Sequence, residues 1–289
     1  MIWRFSAGGL ACAVISDGQP AAPWEPPLGM FFTPETGVPE PELADAIVIE
    51  GQNRTTTTAA YNCLCVETSA GLAVIDSGLG PNFLGYGPDL GAQVGKFGDR
   101  LAEAGYAPDD VAAVVFTHLH QDHVRGAAWS GRLTFPDATG FAHAAEISFW
   151  QDQAAWVRDS THAESAREAI RIFGEQLREF DYGAEILPQV RTVDAAGHTP
   201  GHAAILLGSG PERERVLCLG DCFHDQLQLS HPGWCTPWDI DRERAVHARR
   251  TLLARAAEED FLVHAYHMPF PGLGRVRRRG EVFAWEPLP

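Results

Sequence analysis

Apolar runs of strand length recur along the chain, and several of them end in an acid or a histidine. Val111-Ala112-Ala113-Val114-Val115-Phe116 has no polar residue, the pattern of a strand covered on both faces. Val216-Leu217-Cys218-Leu219 and Phe261-Leu262-Val263 are shorter runs of the same kind. Asn62–Thr68 and Gly71–Asp76 read as the two strands of a hairpin turning through Ser69-Ala70-Gly71, and a further strand is predicted around Leu10 to Ser16. Between these runs the spacing becomes helical. Val94, Phe97 and Leu101 predict a helix stopped by Gly105, and Ala142 to Arg158 predicts another around Ile147, Phe149, Trp150 and Trp156. A third runs from Glu164 to Phe180, with Ile170, Phe173, Leu177 and Phe180 on one face, and a fourth from Arg242 to Glu258. Strands interleaved with helices indicate an α/β fold, and with no linker dividing residues 1–289 the chain reads as a single domain. The exception to regular structure is about 19–41, where Trp24, Met30, Phe31 and Phe32 lie among prolines. It is either an arm packed on the body or a second subunit, which leaves a homodimer open, or a loop forming a wall of a substrate pocket.

Composition narrows the partners. Lys+Arg 22 against Asp+Glu 38 leaves a net charge of −16, which argues against a nucleic-acid backbone or an anionic membrane and for a small-molecule substrate. The short basic run Arg275, Arg277, Arg278 and Arg279 reads as a solvated hairpin edge. Six cysteines, with no Cys-x-x-Cys pair and mostly within apolar runs, are expected to be buried free thiols, as in a cytoplasmic protein. The N-terminal apolar segment is short and broken by Gly8-Gly9, so it reads as a strand rather than an export signal. No run approaches the ~18 apolar residues of a membrane-spanning helix.

The candidate chemistry sits at the strand ends. Directly after the strand ending at Phe116 comes Thr117-His118-Leu119-His120-Gln121-Asp122-His123. Three imidazoles and a carboxylate packed this closely are costly to desolvate without a cation, and they are the donors that zinc and similar divalent metals prefer. Gly126 lets the chain turn away close to them. Gly197-His198-Thr199-Pro200-Gly201-His202 specifies a tight turn able to hold one of its two histidines against that cluster. Asp221 ends another strand, and its two oxygens suit it to bridge two cations; His264 and His267 end a further one. Asp76, at the end of the hairpin, either orients a ligand histidine or forms the turn. His143 and His162 are read as surface residues, and Phe223, His224 and Tyr266 flank the presumed ligands. Trp234 and Trp238 are read as packing residues.

Taken together, His-x-His-x-Asp-His at 118–123, Thr-Pro-Gly-His at 199–202, Gly-Asp at 220–221 and His-Met-Pro-Phe-Pro-Gly at 267–272 resemble the metallo-β-lactamase-fold hydrolases from about Asn62 onward. The chain is most similar there to the branch holding methyl parathion hydrolase and related lactonases. The resemblance implies an αββα sandwich: two mixed β-sheets face to face, helices outside, and the metals at one edge. It implies that His118, His120 and His202 hold one divalent metal, that Asp122, His123 and His267 hold a second, and that Asp221 bridges them. His198 is left as a supporting or turn residue. Zinc is the expected metal, with manganese, cobalt or iron as alternatives. The implied activity is hydrolysis of a carboxylic ester or lactone by a hydroxide held between the metals, with Asp122 and Asp221 tuning the centre. Phosphotriester hydrolysis on the same centre, or a mononuclear iron persulfide dioxygenase, is the alternative.

Overall fold

The computed structural model describes residues 1–21, 25–49, 55–83 and 87–288. Trp24 lies outside them. Among the described residues fourteen strands form two seven-stranded mixed sheets. The first contains β1 (Ile2–Ala7), β2 (Leu10–Gly18), β3 (Tyr61–Thr68), β4 (Gly71–Ile75) and β5 (Val111–Val115). After the small hairpin of β6 (Ala128–Trp129) and β7 (Arg132–Leu133), β8 (Thr139–His143) and β9 (Leu177–Phe180) complete that sheet. The second contains β10 (Glu185–Leu187), β11 (Val190–Asp194), β12 (Ala203–Leu207) and β13 (Val216–Cys218), then β14 (Leu262–His264), β15 (Leu273–Arg279) and β16 (Val282–Pro287). The first sheet is parallel from β4 through β5 and β8 to β9, and the second is parallel only between β13 and β14.

Period-two alternation assigns each side chain to a layer. On β2 and β3, Val14, Leu64 and Val66 face the second sheet, where they meet Ile205, Leu207 and Val216. Their neighbours Ala13, Ile15, Cys63 and Cys65 face outward onto helices, among them α4 (Phe97–Glu103), α6 (Ala144–Gln151) and α8 (Ser160–Phe173). On β12, Ala203, Ile205 and Leu207 face the first sheet while Ala204 and Leu206 face α10 (Arg242–Glu258). The layers are therefore helix, sheet, sheet, helix, as expected.

Three elements differ from the sequence reading. The helix expected over Ala142–Arg158 is β8 followed by two helices, α6 and α7 (Gln153–Arg158), separated at Asp152, whose side chain caps the second by accepting from Ala154 N. The helix expected to reach Phe180 ends at Phe173, because Leu177–Phe180 pairs in parallel with β8, a tertiary pairing that overrides the helical spacing of its apolar residues. The strand at Leu10 is the second in the chain, preceded by β1. The proline-rich segment carries α1 (Leu28–Phe31) and leads into α2 (Glu40–Ile49), both packed on Leu227 and Trp234. Three further short helices among the described residues are α3 (Pro88–Gly91), α5 (Gln121–Val124) and α9 (Leu227–Ser230). All six cysteines are free and buried. Among the described residues no helix is long and apolar enough to cross a membrane.

Candidate metal centre

The site forms where the C-terminal ends of β4, β5, β13 and β14 meet the turn before β12. Strand ends deliver side chains to one rim because their last residues leave the ladder together. Gly126 lets the loop after β5 return close to the rim: a Cβ there would lie 1.7 Å from Ser77 O. His118 and His123 are fully buried, His120 and Asp221 nearly so, and Asp122 and His267 keep less than a tenth of their surface.

Three overlapping donor groups lie at or around Asp221, the third being Asp221, His224 and His267. In the first, ligand atoms of His118, His120, His198 and Asp221 are all within 4.8 Å of one another; in the second, those of Asp122, His123 and His267 are equally close. Asp221 Oδ1 is 3.3 Å from His123 Nε2, and Asp221 Oδ2 is 3.4 Å from His198 Nε2 and 3.3 Å from His267 Nε2. His118 Nε2 and both ring nitrogens of His123 are buried without a well-aligned hydrogen bond, although the His123 nitrogens lie close to carboxylate oxygens. Buried nitrogens without hydrogen bonds are unfavourable unless a cation takes their lone pairs. The donor set of imidazoles and carboxylates fits divalent metal ions.

The opposite ring nitrogens lie against oxygens. His123 Nδ1 lies 2.8 Å from Asp76 Oδ2, His267 Nδ1 3.0 Å from Ala60 O, and His118 Nδ1 3.1 Å from Thr117 Oγ1. Thr117 Oγ1 in turn donates to Asp76 Oδ2. Asp76 adopts φ 55°, a left-handed conformation that costs energy in a non-glycine residue, while its carboxylate also accepts from Thr117 N at 2.9 Å. Asp76 thus both ends its strand in a left-handed turn and lies against the His123 ring. Acceptors on one ring nitrogen fix the tautomer and leave the other free for a metal.

Burial pushes His118 and His120 well below the usual imidazole range, which keeps them neutral as ligands must be. Burial acts the same way on His123 and His267, but Asp221 and its neighbouring carboxylates outweigh it and raise both. These carboxylates hold positive charge at the centre of the site, the demand a cation meets.

His198 and His202 exchange the places expected for them. His198 joins His118 and His120, with its Nε2 3.1 Å from His120 Nδ1. His202 is not in that group, because backbone takes both its nitrogens: Nδ1 is 3.0 Å from Ala195 O and Nε2 accepts from Asp221 N at 3.2 Å. Gly220, at φ 51°, allows this approach, since a Cβ there would lie 2.6 Å from His202 Nε2. Burial lowers His202 to about 3, so it stays neutral.

Other expectations change as well. Phe223 is packed beneath the site in the layer between the second sheet and α10, near Trp285, and does not reach the cavity. Tyr266 is buried too, donating its hydroxyl to Asp122 O and lying 4.1 Å, centroid to centroid, from the His123 ring. His162 is not a surface residue: it is buried, stacks on His120 at 4.0 Å and accepts from Gln121 N at 3.2 Å. His143 is half-buried and caps α6. His224 reaches the centre, its Nε2 3.2 Å from Asp221 Oδ2. Trp238, read as a packing residue, lines the cavity with Phe31, Tyr61 and His224. Phe31 comes from the proline-rich segment, which therefore walls the pocket. Three residues were not anticipated. Asp239 Oδ1 lies 2.9 Å from His198 Nδ1, buried Arg249 approaches Asp239, and buried Glu146 joins the two histidine loops. Asp239 lies among the acids just before α10 and resembles a helix cap in sequence, although Asp241 is the cap.

The profile of the family described as the metallo-beta-lactamase superfamily matches residues 56–239. The chain belongs to the metallo-β-lactamase superfamily. Among curated members, a probable metallo-hydrolase of Mycobacterium tuberculosis is 30% identical over 57% of this chain and 57% of its own length. An N-acyl homoserine lactonase of Bacillus sp is 24% identical over 52% of this chain and 60% of its own. The chain thus spans little more than half the length of the curated relatives it matches. The fold is also that of solved superfamily structures. The hydrolase AbOPH covers 99% of this chain and 97% of its own at TM-score 0.85 and 25% identity. AidC, a dizinc quorum-quenching lactonase, covers 100% and 97% at TM-score 0.85 and 23% identity.

Proposed function

We propose that this superfamily member is a binuclear metal-dependent hydrolase of a carboxylic ester or lactone. The observation that carries the reading is the position of Asp221, whose Oδ1 and Oδ2 lie 3.3 Å from His123 Nε2 and 3.4 Å from His198 Nε2, nitrogens of different donor groups. In this reading His118, His120 and His198 hold one cation, Asp122, His123 and His267 hold the other, and Asp221 serves both. Zinc is the favoured occupant, by its preference for this donor set. Two such cations supply Lewis acidity and a water acidic enough to attack near neutral pH.

The chain's own groups do the rest. Asp76 and Thr117 orient His123 and His118, so that their free nitrogens converge. Phe31, Tyr61 and Trp238 give the cavity apolar walls, which fit an acyl or aryl substituent beside the polar reacting group. His224 lies at the cavity wall beside Asp221, placed to hydrogen-bond an oxygen of the substrate. The names of the Bacillus lactonase and of AidC support a lactone, and the net charge of −16 supports a small substrate over a polyanion.

The test is metal analysis followed by a substrate panel of lactones, aryl esters and organophosphates on protein stripped and then reloaded with zinc, manganese or cobalt. About two metals per chain and metal-dependent turnover of lactones or aryl esters is the expected result. A single iron with oxygen consumption, or turnover confined to organophosphates, would overturn the assignment.

A further inference from the structure

His118, His123, His198 and His267 each have an acceptor behind the ring, but His198 differs in what that acceptor is attached to. Behind His118 stands a threonine hydroxyl and behind His267 a backbone carbonyl. Behind His198 stands Asp239, fully buried, and behind Asp239 stands Arg249, also fully buried and carried by α10 from the outer helical layer. Asp239 Oδ1 is 2.9 Å from His198 Nδ1, while Oδ2 accepts from Thr236 N at 2.9 Å and lies 3.5 Å from an Arg249 nitrogen. Arg249 also donates to Pro232 O at 3.0 Å, to Trp234 O at 2.7 Å and, through Nε, to Cys222 O, the carbonyl next to Asp221.

A buried ion pair is weak as a stabilising device, since apolar residues of similar volume commonly do as well or better. Its geometry here does something an apolar pair cannot. An ionised carboxylate only accepts, so His198 facing it must carry its proton on Nδ1, and Nε2 is left with a lone pair. Thr236 N and Arg249 keep Oδ2 occupied, so the carboxylate cannot rotate away. Through Cys222 O the same guanidinium also grips the turn that carries Asp221.

We propose that Asp239, clamped by Arg249, is a positioning residue that fixes the tautomer and direction of His198 and its distance from Asp221. The proposal rests on the reading of the cluster as a metal centre, and the two fail separately. If the wild-type protein shows no zinc affinity, that reading falls, while the tautomer of His198 still tests the positioning role.

Two measurements test it. In 15N NMR of the metal-free wild-type protein, with the His198 ring identified by comparison with His198→Gln, Nδ1 is expected to carry a proton. An unprotonated Nδ1 overturns the proposal. The second uses Asp239→Asn, which keeps the shape but must turn its amide NH2 either toward Thr236 N and Arg249, donor against donor, or toward His198, imposing the tautomer with the proton on Nε2. Chelator competition is expected to show one zinc ion bound about 10–100-fold more weakly, the range for residues that support metal ligands. The cobalt-loaded variant is expected to show an altered visible spectrum, and its metal-free circular dichroism to match wild type. Wild-type affinity and an unchanged cobalt spectrum overturn the proposal. If the variant does not fold, the tautomer of the wild-type protein decides.

Discussion

An imidazole is a metal ligand only while one of its nitrogens is free, and that condition separates two histidines that stand four residues apart. His202 has none free, with Ala195 O at one side of its ring and Asp221 N at the other. His198 has Asp239 behind Nδ1 and the cluster in front of Nε2. His198→Gln is therefore expected to lose one metal equivalent in chelator competition, with affinity falling by more than the ~100-fold upper end for supporting residues. His202→Gln is expected to keep the wild-type metal content and to lose about 1–3 kcal/mol of stability in denaturant unfolding, since the buried Asp221 N–H and Ala195 carbonyl lose their partner. Equal metal loss in the two variants would reverse the assignment. Both histidines were visible in the sequence as candidates. Motif spacing could not rank them, because the choice depends on which backbone atoms the turn brings to each ring.

At the scale of elements, α6 ties the two histidine-bearing loops together through one side chain. Glu146 Oε1 accepts from Leu119 N at 3.0 Å and from Trp150 Nε1 at 2.6 Å, and Oε2 accepts from Gly201 N at 2.9 Å. Leu119 lies between His118 and His120, and Gly201 lies next to His202, so this carboxylate spans loops about 80 residues apart. Burial raises Glu146 against the pull of these donors. Glu146→Leu would leave them buried and unpaired, at about 1–3 kcal/mol each. The expected result is a loss of at least about 3 kcal/mol in denaturant unfolding, together with weaker metal binding. A wild-type denaturation midpoint would remove Glu146 from this role. The sequence pattern located β2, β3, β4, β5, β13 and β14, and all of α10, which runs over Arg242–Glu258 as read. It missed the strand at Leu177–Phe180, whose pairing partner β8 lies more than thirty residues earlier.

For the whole molecule, the buried donors mean that folding and metal binding are coupled. The folded chain gathers six or more ligand groups from four strand ends and a turn, and the unfolded chain cannot. A metal that binds only the folded state adds about 2.7 kcal/mol of stability at a free concentration 100-fold above its Kd. Stripping the protein with a chelator is therefore expected to lower Tm by several degrees, and zinc is expected to restore it in a concentration-dependent way, followed by thermal denaturation. A Tm independent of zinc would count against a buried metal centre. Closure of the pocket is also a property of the whole chain: Phe31 and Trp238 come from segments some 200 residues apart, yet their rings lie 5.1 Å apart beside the site.

What the sequence determined by itself is local. The apolar runs, their alternation and their acid and histidine endings are consequences of backbone geometry and side-chain chemistry over a few residues, enough to read an α/β fold and the identity of the donors, while the layered sandwich was implied by the resemblance of the motifs. What only the tertiary structure decided is which nitrogen faces which oxygen. His198 over His202, Asp239 and Arg249 behind it, Phe223 beneath the site and His162 stacked on His120 all follow from contacts between residues distant along the chain. Such contacts are set by the packing of two sheets and their helices, and no spacing of residues records them.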